Sequence, residues 1–499
     1  MAAAAHSALT AGAPETAQPM LATEIRRKAV VGAAMIGARG VGIRLLGLAG
    51  NVALARLLVP AEFGTVALGL SLLTFASLVS DGGLAAGLIR RAQEPTVADL
   101  RTVLGLQLMA GAVVTALAAA IGFSLGGVGS VAAIMMLGLP IMALRAPGQI
   151  VLERRLNFGP LAAVEVGEVL AYYVWGVGAV ALGLGVWGLA TASVVKALTG
   201  TITLLVLAPE GRLAPSSSLS GARSLLAFGV RFQAVDLVGV LRDQGVNAGT
   251  AIIAGLSTLG LWTLAMRILQ IPLLLFESLW RVSYPAMAQL MGAGEDPKPV
   301  MERGVKLAAV ATGLLLSVLV SSTPALVPGV FGPRWTDAAA AIPAACLGLQ
   351  INGPVSSAAA GYLFASGHAG TVLRSAAAQL IAFFAVAFSL LPVLGVAAVG
   401  LGYLAASIVE AFIFVTVIRR RTGAWLAPPL LPALAIAVGV SGAGWLITAA
   451  QEPTIPVAIG GALLGAALYV GAMVLLQRQA IVELAQLSRR ALRRSRATA

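Results

Sequence analysis

Long apolar segments recur along almost the whole chain, separated by short stretches that carry Gly, Pro or clustered charges. Each segment approaches the roughly 20 apolar residues that a transmembrane helix needs to cross the hydrocarbon core. The pattern predicts an all-α polytopic membrane protein with about fourteen transmembrane helices. The predicted spans are 29–55, 63–89, 102–123, 129–147, 161–183, 185–208, 225–254, 256–283, 304–327, 338–365, 371–392, 396–418, 428–449 and 455–476.

The basic residues outside these spans alternate in their distribution. The two tails and every second connection hold 24 of them, whereas the intervening connections hold only Arg56 and Arg334. The positive-inside rule places the basic side in the cytoplasm, so both termini are predicted to be cytoplasmic. We expect a multi-pass protein of the plasma membrane. Trp187, Trp262 and Trp335 lie near the predicted outer boundary, which is typical of interfacial anchors.

Composition agrees with a chain that lies almost wholly in the membrane. Only 11% of the residues are charged and 59% are hydrophobic, whereas soluble domains carry about 25% charged residues. The net charge of +13 sits in short clusters, which favours contact with anionic phospholipids and argues against nucleic acid. The single cysteine and two distant histidines predict no metal site. The sequence has no P-loop, so no nucleotide cofactor is expected.

Helices 1–2 resemble helices 7–8 at an offset of 196 residues. Asn51 matches Asn247, Gly64 matches Gly260, and acidic Asp81 matches Glu277. The alternative is chance similarity between apolar segments of low complexity. Transporters are often built from such repeats, and here both copies start in the cytoplasm, so the repeat is parallel. The predicted organisation is a disordered cytoplasmic tail (1–24), two pseudo-symmetric six-helix lobes (25–208 and 209–418), two appended helices (419–476) and a basic cytoplasmic tail (477–499).

Several charged residues lie inside the predicted spans, where each costs about 2.5–3.5 kcal/mol to insert. On helix 7, Arg231 and Arg242 project within about 20° of each other at 100° per residue. On helix 8, Arg267 begins a polar stripe that runs towards its cytoplasmic end. Such stripes line either a water-filled cavity or a polar seam between helices, and both remain open. Glu165 and Glu168, at the predicted cytoplasmic end of helix 5, are better explained by charge pairing between helices or by snorkelling near the helix end.

A cavity with several arginines suits an anionic ligand, because guanidinium groups bind phosphate oxygens in a bidentate fashion. Acidic residues nearby could balance these charges or bind a coupling cation. The candidates for the cationic cavity are Arg39, Arg44, Arg231, Arg242 and Arg267, and those for ion coupling or charge balance are Asp81, Asp236, Asp243 and Glu277.

Two stretches resemble a known family. They are NVALARLLVPAEFGTVALGLSLLTFASLVSDGGLAAGLIRR (51–91) and ERRLNFGPLAAVEVGEVLAYY (153–173). Both are similar to the opening helices of Wzx-type polysaccharide exporters, which belong to the multidrug/oligosaccharidyl-lipid/polysaccharide (MOP) superfamily. The resemblance implies two lobes around a central cationic cavity that opens to one side at a time.

The same resemblance implies a flippase that moves undecaprenyl-diphosphate-linked oligosaccharides to the outer leaflet for surface polysaccharide synthesis. It implies partners in polymerisation and export, no catalytic residue, and coupling to a proton or sodium gradient. The alternatives are a multidrug exporter, a peptidoglycan-precursor flippase, a non-transporting scaffold, or a membrane glycosyltransferase or polymerase. The short outer connections argue against the last, because such an enzyme usually needs a sizeable outer loop to hold its acceptor.

Overall fold

The computed structural model describes residues 40, 42–90, 93–216, 219–479 and 482. Every regular element in these ranges is helical, which confirms the predicted all-α class. The main helices are α1 (42–57), α2 (Pro60–Asp81), α3 (Leu84–Arg90), α4 (Val97–Leu125), α5 (Val128–Met136), α6 (Gly138–Ala143), α7 (Ala146–Arg154), α8 (Phe158–Ala179), α9 (Val186–Leu207), α10 (Leu219–Gly292), α11 (Lys298–Leu326), α12 (Ile342–Ala365), α13 (Ala369–Leu394), α14 (Val396–Thr422), α15 (Ala427–Ala449) and α16 (Ile455–Leu476).

The described residues include 11 helices that are long and apolar enough to cross a membrane, or up to 12 if a bent pair counts as one. The protein is therefore a multi-pass membrane protein. The first predicted span lies partly outside the described residues, and the seventh and eighth run together in α10. The count of fourteen stays a prediction, as does the division into two lobes. The described residues up to Gly47 belong to a unit of their own, and the packing below is that of the described residues from Leu48 onwards.

Helix ends follow local sequence signals. Pro60 starts α2, where its missing N–H costs nothing, and the Glu62 carboxylate accepts a hydrogen bond from the Val59 N–H at 3.0 Å. Gly82 ends α2 in the left-handed conformation, with φ of 56°. Thr96 and Asp99 form a reciprocal capping box at the start of α4. These signals end α2 at Asp81, so the prediction of a single span over 63–89 is wrong: Gly82 and Gly83 separate α2 from α3.

Gly255 interrupts α10 at the predicted boundary between spans seven and eight. Its φ of 84° and ψ of 171° are not helical, and such a conformation favours glycine. We call residues 219–254 the first arm of α10 and residues 256–292 the second arm. The two arms correspond to the two predicted spans 225–254 and 256–283.

The fourth helical segment extends beyond the end of its predicted span. Residues 129–147 were expected to cross the membrane, but the helical path continues from α5 and α6 through a 55° bend into α7, which ends at Arg154. Pro147 lies in the first turn of α7, where it is compatible with a new helix start. The bend places Arg145 inside the protein instead of in an open loop.

The two C-terminal helices pack on α11 through small residues. Gly444 of α15 and Gly465 of α16 both face Ser321, so an added Cβ at either glycine would collide with that side chain. The Tyr469 hydroxyl donates a hydrogen bond to the Val310 carbonyl at 3.1 Å. Small residues let membrane helices approach closely where no hydrophobic effect holds them together. The appended pair is thus attached mainly through α11, with a smaller contact between α15 and α12.

Large apolar side chains cover the outside of the helices, as expected for a surface that faces lipid. Leu117 of α4 is 57% exposed and Leu463 of α16 is 66% exposed. Two of the predicted tryptophan anchors are not at such a surface: Trp262 is 4% exposed and Trp335 is 0% exposed. The anchor prediction is wrong for these two because both indoles pack into the largest apolar core instead. Trp187 is exposed.

Candidate functional site

A glycine contact joins α2 to the second arm of α10. A Cβ on Gly64 would overlap the Leu256 carbonyl oxygen, and a Cβ on Gly260 would overlap the Pro60 carbonyl oxygen. The contact is reciprocal: Gly64 and Gly260 are 196 residues apart, and so are Pro60 and Leu256. The two helices therefore meet about a local two-fold relationship with the offset that the sequence repeat predicts.

Side chains around this glycine contact link the α1–α2 connection to the segment before α12. The Trp335 indole N–H donates to the Ala55 carbonyl at 2.8 Å, and its ring meets Phe63 edge-on at 5.2 Å. The Arg56 guanidinium donates to the carbonyls of Val330, at 2.7 Å, and of Gly329. We call these contacts and the glycine pair the closed end. It contains Arg56, one of the two basic residues of the predicted outer connections.

A group of polar side chains lies next to the closed end. Gly64 and Ser71 are seven residues apart on α2, about 10 Å along a helix. The Asn247 amide donates to the Ser71 hydroxyl at 3.0 Å, and the Asn51 amide donates to the Tyr173 hydroxyl at 2.9 Å. Tyr173 itself packs on Gly50. We call this group, with Tyr172 and Arg267, the polar seam.

Arg267 is the cation of the polar seam. It lies within electrostatic range of the Tyr172 and Tyr173 phenols, and its neighbours Ala265 and Ile268 are buried. Its side chain is half-buried. Within the part of the chain that the structure describes, its guanidinium has no hydrogen bond or ion pair. A half-buried, unmatched guanidinium is costly and is suited to an anionic ligand.

The structure describes the side chains of few of the other predicted site residues. Arg44 is exposed and belongs to the small unit 1–47, and Asp243 is exposed on the first arm of α10. Five further candidates stay predictions. Arg39 lies outside the described residues, and for the other four only the backbone is described. These others are Arg231, Asp236, Arg242 and Glu277.

Asp81 ends α2 and has two partners. One carboxylate oxygen accepts from the Gln107 amide at 2.6 Å and the other accepts from the Gly83 N–H at 3.1 Å. Asp81 therefore stabilises the turn between α2 and α3 and ties α2 to α4. A role in ion coupling or charge balance remains a prediction for this residue.

Glu168 forms an ion pair with Arg145, and both side chains are largely buried, at 12% and 13% exposure. Gly200 of α9 provides the space, since an added Cβ there would collide with both groups. Of the two explanations expected for Glu168, charge pairing and snorkelling, the structure shows charge pairing. The bend before α7 brings Arg145 to this position.

The predicted site did not include a second polar cluster. The Glu410 carboxylate of α14 accepts hydrogen bonds from the Asn352 amide at 2.5 Å and the Gln379 amide at 2.9 Å. Glu410 was recognisable as a charge inside a span, but its partners lie 58 and 31 residues away on other helices. Tyr172 and Tyr173 were also missed, since aromatic residues in membrane helices are common. In the described ranges no three His, Cys, Asp or Glu side chains come together as metal ligands would.

Comparison with known proteins agrees with this architecture. Residues 53–340, more than half of the chain, match the family described as polysaccharide biosynthesis protein. The chain is 26% identical over 329 residues to the lipopolysaccharide biosynthesis protein WzxC of Escherichia coli strain K12, covering 63% of this chain and 65% of WzxC. It is 24% identical over 304 residues to the succinoglycan biosynthesis transport protein ExoT of Rhizobium meliloti strain 1021, covering 57% and 59% respectively. The match therefore spans less than two thirds of either relative.

Solved structures share the fold at low sequence identity. The lipid II flippase MurJ in an inward closed conformation aligns with a TM-score of 0.70 and 12% identity, covering 90% of this chain and 100% of MurJ. An inward-facing multidrug resistance MATE transporter of the MOP superfamily aligns with a TM-score of 0.55 and 15% identity, covering 76% and 94%. The chain therefore belongs to the polysaccharide biosynthesis protein family and has the fold of the MOP superfamily transporters.

Proposed function

We propose that the protein is a flippase that carries undecaprenyl-diphosphate-linked oligosaccharides across the bacterial inner membrane for surface polysaccharide synthesis. The observation that carries the proposal is Arg267, a half-buried guanidinium without an ion pair among the described residues. Family membership and the names of two relatives, WzxC and ExoT, support the same reading. The direction of transport, with both termini cytoplasmic, rests on the distribution of basic loops.

The diphosphate is the part of this substrate that the polar seam suits best. A guanidinium donates paired hydrogen bonds to phosphate oxygens, and the Tyr172 and Tyr173 hydroxyls add further donors beside Arg267. Arg39, Arg44, Arg231 and Arg242 are proposed to add positive charge along the pathway. Several arginines are suited to a diphosphate, because this group carries more than one negative charge.

Transport requires the closed end to open. At the glycine contact two backbones meet without interlocking side chains, so the helices can separate without rotamer changes at Gly64 or Gly260. Alternating access of this kind breaks no covalent bond, so no catalytic residue is proposed. A proton or sodium gradient would drive the cycle, with Asp81, Asp236, Asp243 and Glu277 as the carboxylates that couple to it or balance the arginines.

Other activities fit this arrangement less well. A multidrug exporter for cationic drugs needs an acidic, aromatic cavity, whereas the polar seam holds the cation Arg267, which has no ion pair with any side chain that the structure describes. A peptidoglycan-precursor flippase would bind the same diphosphate. The two functions are therefore distinguished by which lipid accumulates when the protein is depleted. A polymerase or glycosyltransferase needs a place for its acceptor outside the membrane, and the predicted outer connections are short.

The test is mass spectrometry of lipids from a strain depleted of this protein. We expect an undecaprenyl-diphosphate oligosaccharide to accumulate while surface polysaccharide is lost. Arg267→Gln should reproduce the accumulation at normal expression, whereas Arg374→Gln, the same change at an exposed position of α13, should restore export. An unchanged pool of lipid-linked sugar would refute the proposal, and accumulated peptidoglycan precursor would reassign the substrate.

A further inference from the structure

A cavity lies where the end of α2 meets α4, α6, α7 and the first arm of α10, and Thr74 in its lining is one helical turn from Ser71 of the polar seam. Its volume is about 380 Å³, which is within the usual range for small-molecule sites. Its polar wall is formed by hydroxyl, amide and carboxylate groups, and its apolar wall includes Leu139 and Met142. We call it the α2–α4 cavity. Its polar residues are Thr74, Ser77, Ser80, Asp81, Gln107 and Gln149.

The polar wall of the α2–α4 cavity is rich in hydrogen-bond acceptors. Thr74, Ser77 and Ser80 each donate their one hydroxyl proton to a backbone carbonyl of α2, so their oxygens are left to accept. The Gln149 amide nitrogen donates to Glu153 at 2.8 Å. Asp81 is acceptor-only when ionised. The Gln107 and Gln149 amides each use one N–H group in a hydrogen bond and keep a second one, so a ligand that matches this wall brings several donors and also accepts hydrogen bonds.

The charges in the α2–α4 cavity do not favour an anion. Arg145 lines it, but the Arg145 guanidinium is paired with the Glu168 carboxylate. Among the lining residues whose side chains the structure describes, the remaining charged group is the Asp81 carboxylate. A phosphate placed here would meet a carboxylate and a neutralised arginine, so the diphosphate belongs elsewhere. The ligand is neutral or positively charged.

A bare metal ion is also a poor match. Hard cations need about six oxygens or more at roughly 2.0–2.6 Å, and a cavity of 380 Å³ is too wide to supply them from one wall. Both Asp81 oxygens already accept from N–H donors, of Gln107 and Gly83. Gln107 is only 6% exposed, so its amide is fixed in place by the surrounding helices.

We propose that the α2–α4 cavity is a saccharide subsite that binds a sugar of the lipid-linked substrate. Sugar hydroxyls both donate and accept hydrogen bonds, which matches the hydroxyl, amide and carboxylate groups of the polar wall, and the apolar faces of a sugar ring can lie against Leu139 and Met142. The cavity is at the end of α2 that the basic connections place in the cytoplasm, the side from which the substrate enters. The inference rests on the proposed flippase function and deepens it.

Protection of an introduced cysteine tests this subsite in the purified full-length protein. Ser77→Cys places a thiol in the cavity wall, while native Cys346 is buried and should label slowly. Ser124→Cys, exposed at the far end of α4, is the control. The probe is the lipid-linked oligosaccharide isolated from depleted cells, compared with undecaprenyl diphosphate. We expect maleimide labelling of the Ser77→Cys variant to be about tenfold slower with the probe at about ten times its dissociation constant, and labelling of the control variant to be unchanged.

Each other outcome has a distinct meaning. Equal protection by undecaprenyl diphosphate would show that the cavity takes the lipid diphosphate, and protection by sodium ions alone would make it a cation site; both overturn the saccharide subsite. If neither lipid protects the introduced thiol while depleted cells still accumulate lipid-linked oligosaccharide, the subsite is wrong and the flippase function stands. If no lipid-linked oligosaccharide accumulates in depleted cells, both the saccharide subsite and the flippase function are refuted. Adding Gln107→Leu, which keeps the side-chain volume, to the Ser77→Cys variant should abolish the protection without loss of folded protein.

Discussion

Gly64 and Gly260 lie against each other across α2 and the second arm of α10, each facing a carbonyl oxygen of the other helix. The equivalent positions of two sequence repeats thus touch one another. A contact of this kind holds two repeats together with backbone atoms alone, so it depends on the absence of both side chains.

Gly64→Val and Gly260→Val are each expected to lower stability, because the new side chain forces two backbones apart. Overpacking of this sort costs about 1–3 kcal/mol. The measurement is the thermal midpoint of the purified protein in detergent. Gly439→Val is the matched control, because a Cβ at that exposed position of α15 has nothing within 4 Å. If Gly439→Val lowers the thermal midpoint as much as Gly64→Val and Gly260→Val do, the glycine contact does not explain the loss of stability.

Trp335→Phe tests the closed end. The change keeps an aromatic ring beside Phe63 but removes the N–H that reaches the Ala55 carbonyl. A buried carbonyl left without its donor costs about 1–3 kcal/mol, so unfolding should occur at a lower temperature. Trp175→Phe removes a comparable hydrogen bond, to Thr191, at an exposed site and should change the midpoint little. Equal effects of the two changes would argue against a special role for Trp335.

Glu168→Gln is expected to destabilise the protein by leaving the Arg145 charge unmatched between helices. Breaking a buried ion pair from one side typically costs about 3–5 kcal/mol. The double variant Arg145→Gln, Glu168→Gln should recover part of this loss, because no buried charge remains. A double-mutant cycle of thermal unfolding measures the coupling. Strictly additive effects would show that the two side chains do not interact in the membrane-embedded protein.

Tyr173→Phe removes the hydroxyl that accepts the Asn51 hydrogen bond and lies beside Arg267. We expect the free energy of unfolding to fall by about 0.5–1.5 kcal/mol, the usual net value of one hydrogen bond. We also expect export to be slower. Tyr172→Phe removes a neighbouring hydroxyl that has no Asn51 bond and should cost less stability. Lipid-linked oligosaccharide accumulation in cells and thermal unfolding of the purified variants provide the two readouts. Identical behaviour of both variants would count against the polar seam as described.

The sequence by itself determined the helical architecture and much of its order along the chain. Bilayer thickness sets the length of an apolar helix, and the backbone can satisfy its hydrogen bonds in lipid only as a helix or closed barrel. Local signals such as Pro60, Gly82 and Gly255 then set the ends of elements. The offset of 196 also identified Gly64 and Gly260 as equivalent, because a repeated sequence repeats its close contacts.

Only the tertiary structure decided which side chains are partners. Arg145 and Glu168 form an ion pair, Trp335 was expected at the membrane interface and is buried, and the Asn352 and Gln379 amides meet at Glu410. The physical reason is the same in each case. Hydropathy reports how readily a segment enters lipid, whereas these contacts depend on the rotation and bending of helices that are distant in sequence.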